Sequence, residues 1–242
     1  YYLYQFRLNS LEINYTYYQM PSIKVFTSYS RKTPEDFRFA VKLYSGITHA
    51  PWIQAKIPKL DTTLCEQFVD AIAPLIDSGK LGCLLAQFPP HMRPGSAAWD
   101  FLFKLQAALP CSLVYEFRHK AWISEQTFAA LRKAGIGYCT VDEPQVGPLM
   151  PFVPAVTSDI AYFRLHGRDM TWFEPNSLRY NYLYSNSELE DMLPAINFMR
   201  EKSRVLYIQF NNCHAGSAVK NVKMLQSLLD MDLPPLQGVL YG

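Results

Sequence analysis

Short apolar runs alternate with longer amphipathic stretches along this chain. Residues 81–87 (Leu-Gly-Cys-Leu-Leu-Ala-Gln) are nearly all apolar and stop at Pro89-Pro90, as a strand covered on both faces would. Residues 10–14, 37–42, 112–118, 136–142, 161–166 and 204–211 read as further short strands. Between them, Leu64, Phe68, Ile72, Leu75 and Ile76 recur at helical spacing across 61–77. Helices are also predicted at 22–30, 97–109, 124–134, 185–202 and 212–229. Ser124 is placed to cap its helix and Gly135 to end it. Tyr4 and Leu8 suggest the tail of a helix before the first strand. Residues 15–21, 47–49 and 143–157 read as loops, and 169–185 as an aromatic insertion with Trp172, Phe173, Tyr180, Tyr182 and Tyr184.

Strand and helix alternate throughout, with no repeat of sequence and no internal linker. That order implies a parallel sheet with crossover helices. Seven strands fall one short of a TIM-type (β/α) barrel, a fold of about 250 residues. The chain opens on Tyr1-Tyr-Leu-Tyr without an initiator methionine. The expectation is a single barrel domain over residues 1–242 whose first strand lies upstream of Tyr1. The rival is an open doubly wound sheet, weakened because no strand is followed by a GxGxxG or Walker loop.

Composition narrows the picture. Apolar residues make up 49% of the chain, enough for a large core. The net charge of +2 gives no support to nucleic-acid binding. No apolar run is long enough for a membrane span. Five scattered cysteines, with no CxxC, fit a reducing compartment, so a cytoplasmic location is expected.

Polar residues collect at the carboxyl ends of the strands: Glu12 and Asn14, Lys42, Gln87, Glu116 and Arg118, Asp142, Arg164 and His166, then Asn211. All five histidines (49, 91, 119, 166 and 214) lie in or just after these ends. In a barrel, that face is where active sites are built. Parity sharpens the point. Tyr162, Arg164 and His166 share one face of a strand, and Phe163 and Leu165 the other. If the polar parity faces inward, Glu12, Glu116 and Asp142 meet Lys42, Arg118 and Arg164 at the mouth.

Three readings stay open. The first is a buried salt-bridge ring in a non-catalytic binding or scaffold protein. The second is an anion site with a carboxylate left as acid or base. The third is a metal-dependent hydrolase or nuclease with Glu12, Glu116, Asp142, His166 and His214 as ligands. The cations at the same mouth oppose a divalent ion. The favoured anion pocket lies between the last two strands. There Gly167-Arg168 meets the turn 211–216, where Asn211 or Asn212 is expected to cap the last helix beside His214.

Several motifs carry a resemblance. They are Glu12-Ile-Asn-Tyr-Thr-Tyr-Tyr18, Phe37-Arg-Phe-Ala-Val-Lys42, Ile47-Thr-His49 and Leu84-Leu-Ala-Gln-Phe-Pro-Pro90. Tyr115-Glu-Phe-Arg-His119 with Trp122, Tyr162-Phe-Arg-Leu-His-Gly-Arg168, Tyr182-Leu-Tyr-Ser185 before Glu188-Leu, and Phe210-Asn-Asn-Cys-His-Ala215 with Asn221 complete them. Together they resemble the YecE-like family, domain of unknown function 72. The resemblance implies a TIM barrel and brings no established activity. Its shared positions correspond to Glu12, Asn14, Lys42, His49, Gln87, Glu116, Arg118, His119, Asp142, Arg164, His166, Arg168 and Asn212. Lys120-Ala121 and Cys213 depart from its usual pattern.

The function expected from all this is an enzyme acting on a small, phosphate-bearing anion. Lys42, His49, Arg118, Arg164, Arg168, Asn211, Asn212 and His214 are the candidate anion contacts. Glu116 and His166, with Glu12 and Asp142, are the acid–base candidates. The cofactor and the oligomeric state are left open.

Overall fold

The computed structural model describes residues 8–54, 58–147, 149–174 and 181–231. Among these, seven strands form one parallel sheet in sequence order: β1 (Ser10–Ile13), β2 (Arg38–Lys42), β3 (Leu81–Gln87), β4 (Leu113–Glu116), β5 (Gly137–Asp142), β6 (Ile160–Leu165) and β7 (Val205–Phe210). The sheet curls until its two edges nearly meet, with Gln209 Nε2 3.4 Å from Ser10 Oγ. No backbone ladder joins β7 to β1 among the described residues. The result is a TIM-type barrel that stops short of closure. A groove between the edges holds cavities of about 400 and 270 Å³, both touching Ser10, Ile208 and Phe210.

Helices cover the outside: α1 (Ile23–Lys32), α2 (Ser45–Thr48), α3 (Ala50–Gln54), α4 (Thr62–Asp77), α5 (Ser96–Ala108), α6 (Glu125–Ala134), α7 (Asn186–Glu190), α8 (Leu193–Lys202) and α9 (Ser217–Leu228). None of the helices in the described residues is long and apolar enough to cross a membrane. The expected helical tail ending at Leu8, and Tyr180 of the aromatic insertion, fall mainly or wholly outside the described residues.

The strand parity reads correctly. Phe163 and Leu165 pack outward with Leu189, Met192 and Ile196, and the Tyr162 ring lies 5.9 Å from that of Tyr207. Trp122 is a packing anchor: it is buried, stacks on Phe117 at 4.2 Å and donates to Met92 O. Three expectations need correction. Residues 47–49 belong to a helical segment, because Ser45–Thr48 closes a turn capped by His49 N–H on Ser45 O. The helix expected at 185–202 is two, α7 and α8. Pro194 sits in the first turn of α8, where its missing N–H costs nothing, and the chain restarts there. The last helix begins at Ser217, because Ala215 (φ 49°) and Gly216 (φ 76°) both turn left-handed before it.

Helix α6 ends as its sequence directs. Ser124 Oγ accepts from Thr127 N, and Gly135 takes a left-handed φ of 67° with its N–H on Arg132 O and Leu131 O. A Cβ on Gly135 would meet nothing within 4 Å, so Gly135→Ala costs conformation alone. The expected loss is about 1 kcal/mol, read as a lower urea midpoint at unchanged slope.

Candidate functional site

Arg164 lies at the centre of the strand ends. It is 1% exposed, so its charge must be met inside the protein. Its Nη2 donates to Glu12 Oε1 at 2.7 Å and its Nη1 to Glu116 Oε2 at 2.5 Å. One guanidinium from β6 thus joins β1 to β4 across the barrel. Glu12 also accepts from Tyr162 Oη at 2.7 Å and Asn14 Nδ2 at 2.8 Å. Glu116 also takes Arg118 Nε at 2.7 Å and Gln87 Nε2 at 2.8 Å. Burial alone would raise both carboxyls. The Arg164 charge and its hydrogen bonds outweigh burial at Glu12, and the Arg118 and Arg164 charges outweigh it at Glu116. Glu12 is held below the usual carboxylate range and Glu116 well below it. Glu116 is therefore a fixed charge, with no proton to donate near neutral pH.

Asp142 does not join this ring. Val141 is the register partner of Arg164, so Asp142 carries the opposite parity and faces the helices. There Arg168 holds it through Nε at 2.9 Å and Nη2 at 2.8 Å, and Tyr184 Oη donates to it at 2.7 Å. Gly167 N–H donates in turn to Tyr184 Oη at 2.8 Å. The residue that takes the inward place is Glu143, which the sequence reading passed over as loop. Glu143 accepts Arg118 Nη1 at 2.6 Å and Met150 N–H at 2.7 Å. Extending the parity of Cys139 and Val141 by one step would have found it.

His166 is fully buried behind Arg118. Its Nε2 lies 3.5 Å from Glu116 Oε1, and its Nδ1 lies 3.1 Å from Asn211 Nδ2. Burial first, and the Arg118 charge second, push its pKa down to about 4. The expected cap is not made. Asn212 donates instead to Tyr182 O and Asn221 Oδ1, both at 2.8 Å, and Gly216 stands at the helix start without a side-chain cap. The anion pocket expected at that helix start lacks its capping residue. His214 is exposed on the turn. No group of three or more His, Cys, Asp and Glu able to hold a metal forms among the described residues. Of the five residues expected as alternative ligands, only His166 and Glu116 come together, at 3.5 Å; Arg164 stands between Glu12 and Glu116, Asp142 faces away and His214 is exposed on the turn.

A different cluster forms at the β1–β3 side of the mouth. Lys42 Nζ donates to Gln87 Oε1 at 2.5 Å and lies 4.3 Å from the centre of the Tyr17 ring. His49 packs edge-on against the same ring at 5.0 Å. Burial, then the charges of Lys42, His91 and Arg118, push His49 down to about 4. Burial, then Arg164, push Lys42 down to about 8, against the pull of Glu116. Gln87 and Tyr17 were missing from the predicted contact set; Gln87 shares its register position with Glu116.

A parallel barrel with an ionic ring at the carboxyl ends of its strands is the TIM-type architecture. The family model "Protein of unknown function DUF72" matches residues 2–238, and the chain belongs to that family. The chain is 30% identical to the UPF0759 protein YunF of Bacillus subtilis (strain 168) over 239 residues, covering 92% of this chain and 83% of YunF. It is also similar to the crystal structure of a DUF72 family protein (TM1631) from Thermotoga maritima MSB8. That likeness has a TM-score of 0.84 and 38% identity, and covers 93% of this chain and 86% of that one. A DUF72 family protein (EF0366) from Enterococcus faecalis V583 superimposes with a TM-score of 0.87 at 26% identity, over 100% of this chain and 92% of that one.

Two outcomes follow from the ring. Arg164→Met strands two buried carboxylates and is expected to cost about 3–5 kcal/mol; adding Glu12→Gln recovers part of it, measured by denaturant unfolding. His166, faced by Glu116, Arg118, Arg164 and Asn211, takes its proton near pH 4 when folded, against about 6.5 for an ordinary histidine. The unfolded chain binds that proton first, so stability falls as pH drops from about 6.5 to about 4, by on the order of 3 kcal/mol for this group. His166→Gln should reduce that slope, leaving the part that His49, also pushed down to about 4, contributes with the same sign.

Proposed function

We propose that the barrel mouth binds a small anionic molecule on its β1–β3 side, through Lys42 and His49. The observation that carries this reading is the unpaired Lys42 ammonium there, whereas Arg118 at its edge is held by Glu116 and Glu143. Lys42 has no carboxylate within ion-pair distance among the described residues. Burial, with the Lys42 and Arg118 charges nearby, keeps His49 a neutral imidazole that can donate a hydrogen bond to an anion. Fixed cations at a shielded barrel mouth attract an anion more strongly than the same charges in water. A carboxylate or phosphate fits this face. Glu116 and His166 serve it from behind: Glu116 anchors Arg118 and Arg164, and His166 backs Arg118.

Arg164 and Arg168 were expected to hold the anion between the last two strands. Both are engaged by carboxylates, Arg164 by Glu12 and Glu116, Arg168 by Asp142. A second reading, a barrel whose ring serves stability alone, draws on that same saturation.

The two readings part on one experiment. Inorganic phosphate at 100 times its dissociation constant should stabilise the protein by about 2.7 kcal/mol, seen as a rise in Tm. Lys42→Met combined with His49→Gln should abolish the rise, and Arg168→Ala should keep it. No response of the unaltered protein to phosphate or to small carboxylates refutes the anion site and leaves the scaffold reading.

A further inference from the structure

Two lysines among the described residues are buried, and they are treated differently. Lys80 spends its ammonium on Ser30 O, Thr33 O and Thr33 Oγ1. Lys42 has a single oxygen acceptor, Gln87 Oε1, and otherwise faces the Tyr17 ring. An ammonium has three donors and no acceptor. Two of the three are thus without an oxygen partner at Lys42. The protein also keeps a carboxylate away from it. Gln87 gives its carbonyl to Lys42 and its amide N–H to Glu116, so the amide stands between the amine and the nearest negative charge. Thr16 Oγ1 holds Lys42 O at the end of β2, which fixes the backbone from which the amine projects.

From this arrangement we propose that Lys42 is a carbonyl-reactive amine, which condenses with the aldehyde or ketone of a small molecule that also carries a carboxylate or phosphate. The amine part stands on the Lys42–Gln87–Glu116 geometry. The choice of an anionic substrate rests on the mouth being an anion site, as argued above. A desolvated lysine beside other cations is the form in which a side-chain amine is nucleophilic near neutral pH. Groups facing Lys42 come from every neighbouring element: Tyr17 and Glu12 from the β1 side, Glu116 and Arg118 from β4, Arg164 from β6. Burial and Arg164 depress its pKa to about 8, against Glu116 and Glu12, so a useful fraction is free amine at pH 7.5. Lys42 is 9% exposed, so small carbonyl compounds are the probes to use.

The step balances without an outside oxidant or reductant. The nitrogen lone pair bonds to the carbonyl carbon, and the carbonyl π pair moves to oxygen, giving a carbinolamine after a proton passes from nitrogen to that oxygen. The C–O bond then breaks, and one proton from solvent carries the oxygen away as water. A protonated imine is left on Lys42 Nζ. Such an imine draws electrons from the neighbouring carbon, so the reaction class is making or breaking a bond there.

Reductive trapping tests this directly. The protein is incubated at pH 7.5 with glyoxylate, or with the neutral glycolaldehyde, plus cyanoborohydride, and modified lysines are mapped by peptide mass spectrometry. Lys42 should be labelled about tenfold or more above the exposed Lys24 and Lys104. Lys42→Arg, which keeps the charge, should remove that adduct while leaving the melting temperature near that of the parent. Gln87→Glu places a carboxylate on the amine and should cut Lys42 labelling about tenfold. Dominant Lys42 labelling by both probes alike, unaffected by inorganic phosphate, supports the amine and counts against the anion site. Label confined to exposed lysines under both probes overturns the amine, whether or not phosphate raises Tm. So does a dominant adduct that survives Lys42→Arg.

Discussion

A guanidinium cannot be left alone inside a barrel, and Arg164 sets the terms for the rest of this mouth. It enters from β6 and meets Glu12 on β1 and Glu116 on β4, so three strands far apart in sequence are fixed to one group. Burying these charges costs several kcal/mol per ion, offset only when each has full hydrogen bonding. Every oxygen of Glu12 and Glu116 receives at least one donor, while Arg164 Nε is left without a partner among the described residues, so the ring is not fully satisfied. Arg118 then extends the ring to Glu143, whose other oxygen holds the Met150 N–H. The long irregular stretch after β5 is thereby tied to the barrel by the same network.

That network makes the mouth asymmetric. From β4 round to β6 each base lies on an acid. Outside the ring, Asp142, Arg168 and Tyr184 form a separate unit that joins the end of β5 to the segment before α7. Here Arg168 and Asp142 close a bidentate pair, and Ser185 with Glu188 supplies the capping box that starts the helix. On the β1–β3 side the balance is different. Lys42 and His49 meet an amide, a phenol ring and each other. Ligand chemistry belongs where charge is unspent, so the β1–β3 side carries the functional argument and the ring supports it.

Much of this was legible in the chain. Alternating strands and helices gave the barrel, and the spacing of Tyr162, Arg164 and His166 gave the inward face of β6, since period-two alternation depends only on local geometry. The motifs also pointed to the right family, which the match over residues 2–238 establishes. What failed needed tertiary information. Asp142 was read as inward because it is the last residue of its strand, whereas register with β6 turns it outward and puts Glu143 inside. Asn211 or Asn212 was read as a cap because asparagine favours caps, whereas Asn211 meets His166. The real partners of Asn212, Tyr182 and Asn221, are contacts the sequence does not specify. The isolation of Lys42 was invisible too, because it depends on a glutamine 45 residues away.

Gln87 is the residue on which the functional argument turns. A glutamate there would pair with Lys42 and repel Glu116, closing the ring on all sides. As an amide it accepts from one neighbour and donates to the other, so it transmits orientation without transferring charge. The amine is held in place yet left electrostatically unsatisfied, by groups anchored on strands. Preorganised charge of this kind does not have to reorient when a ligand arrives, and that is what separates a binding cation from one that only fills a core.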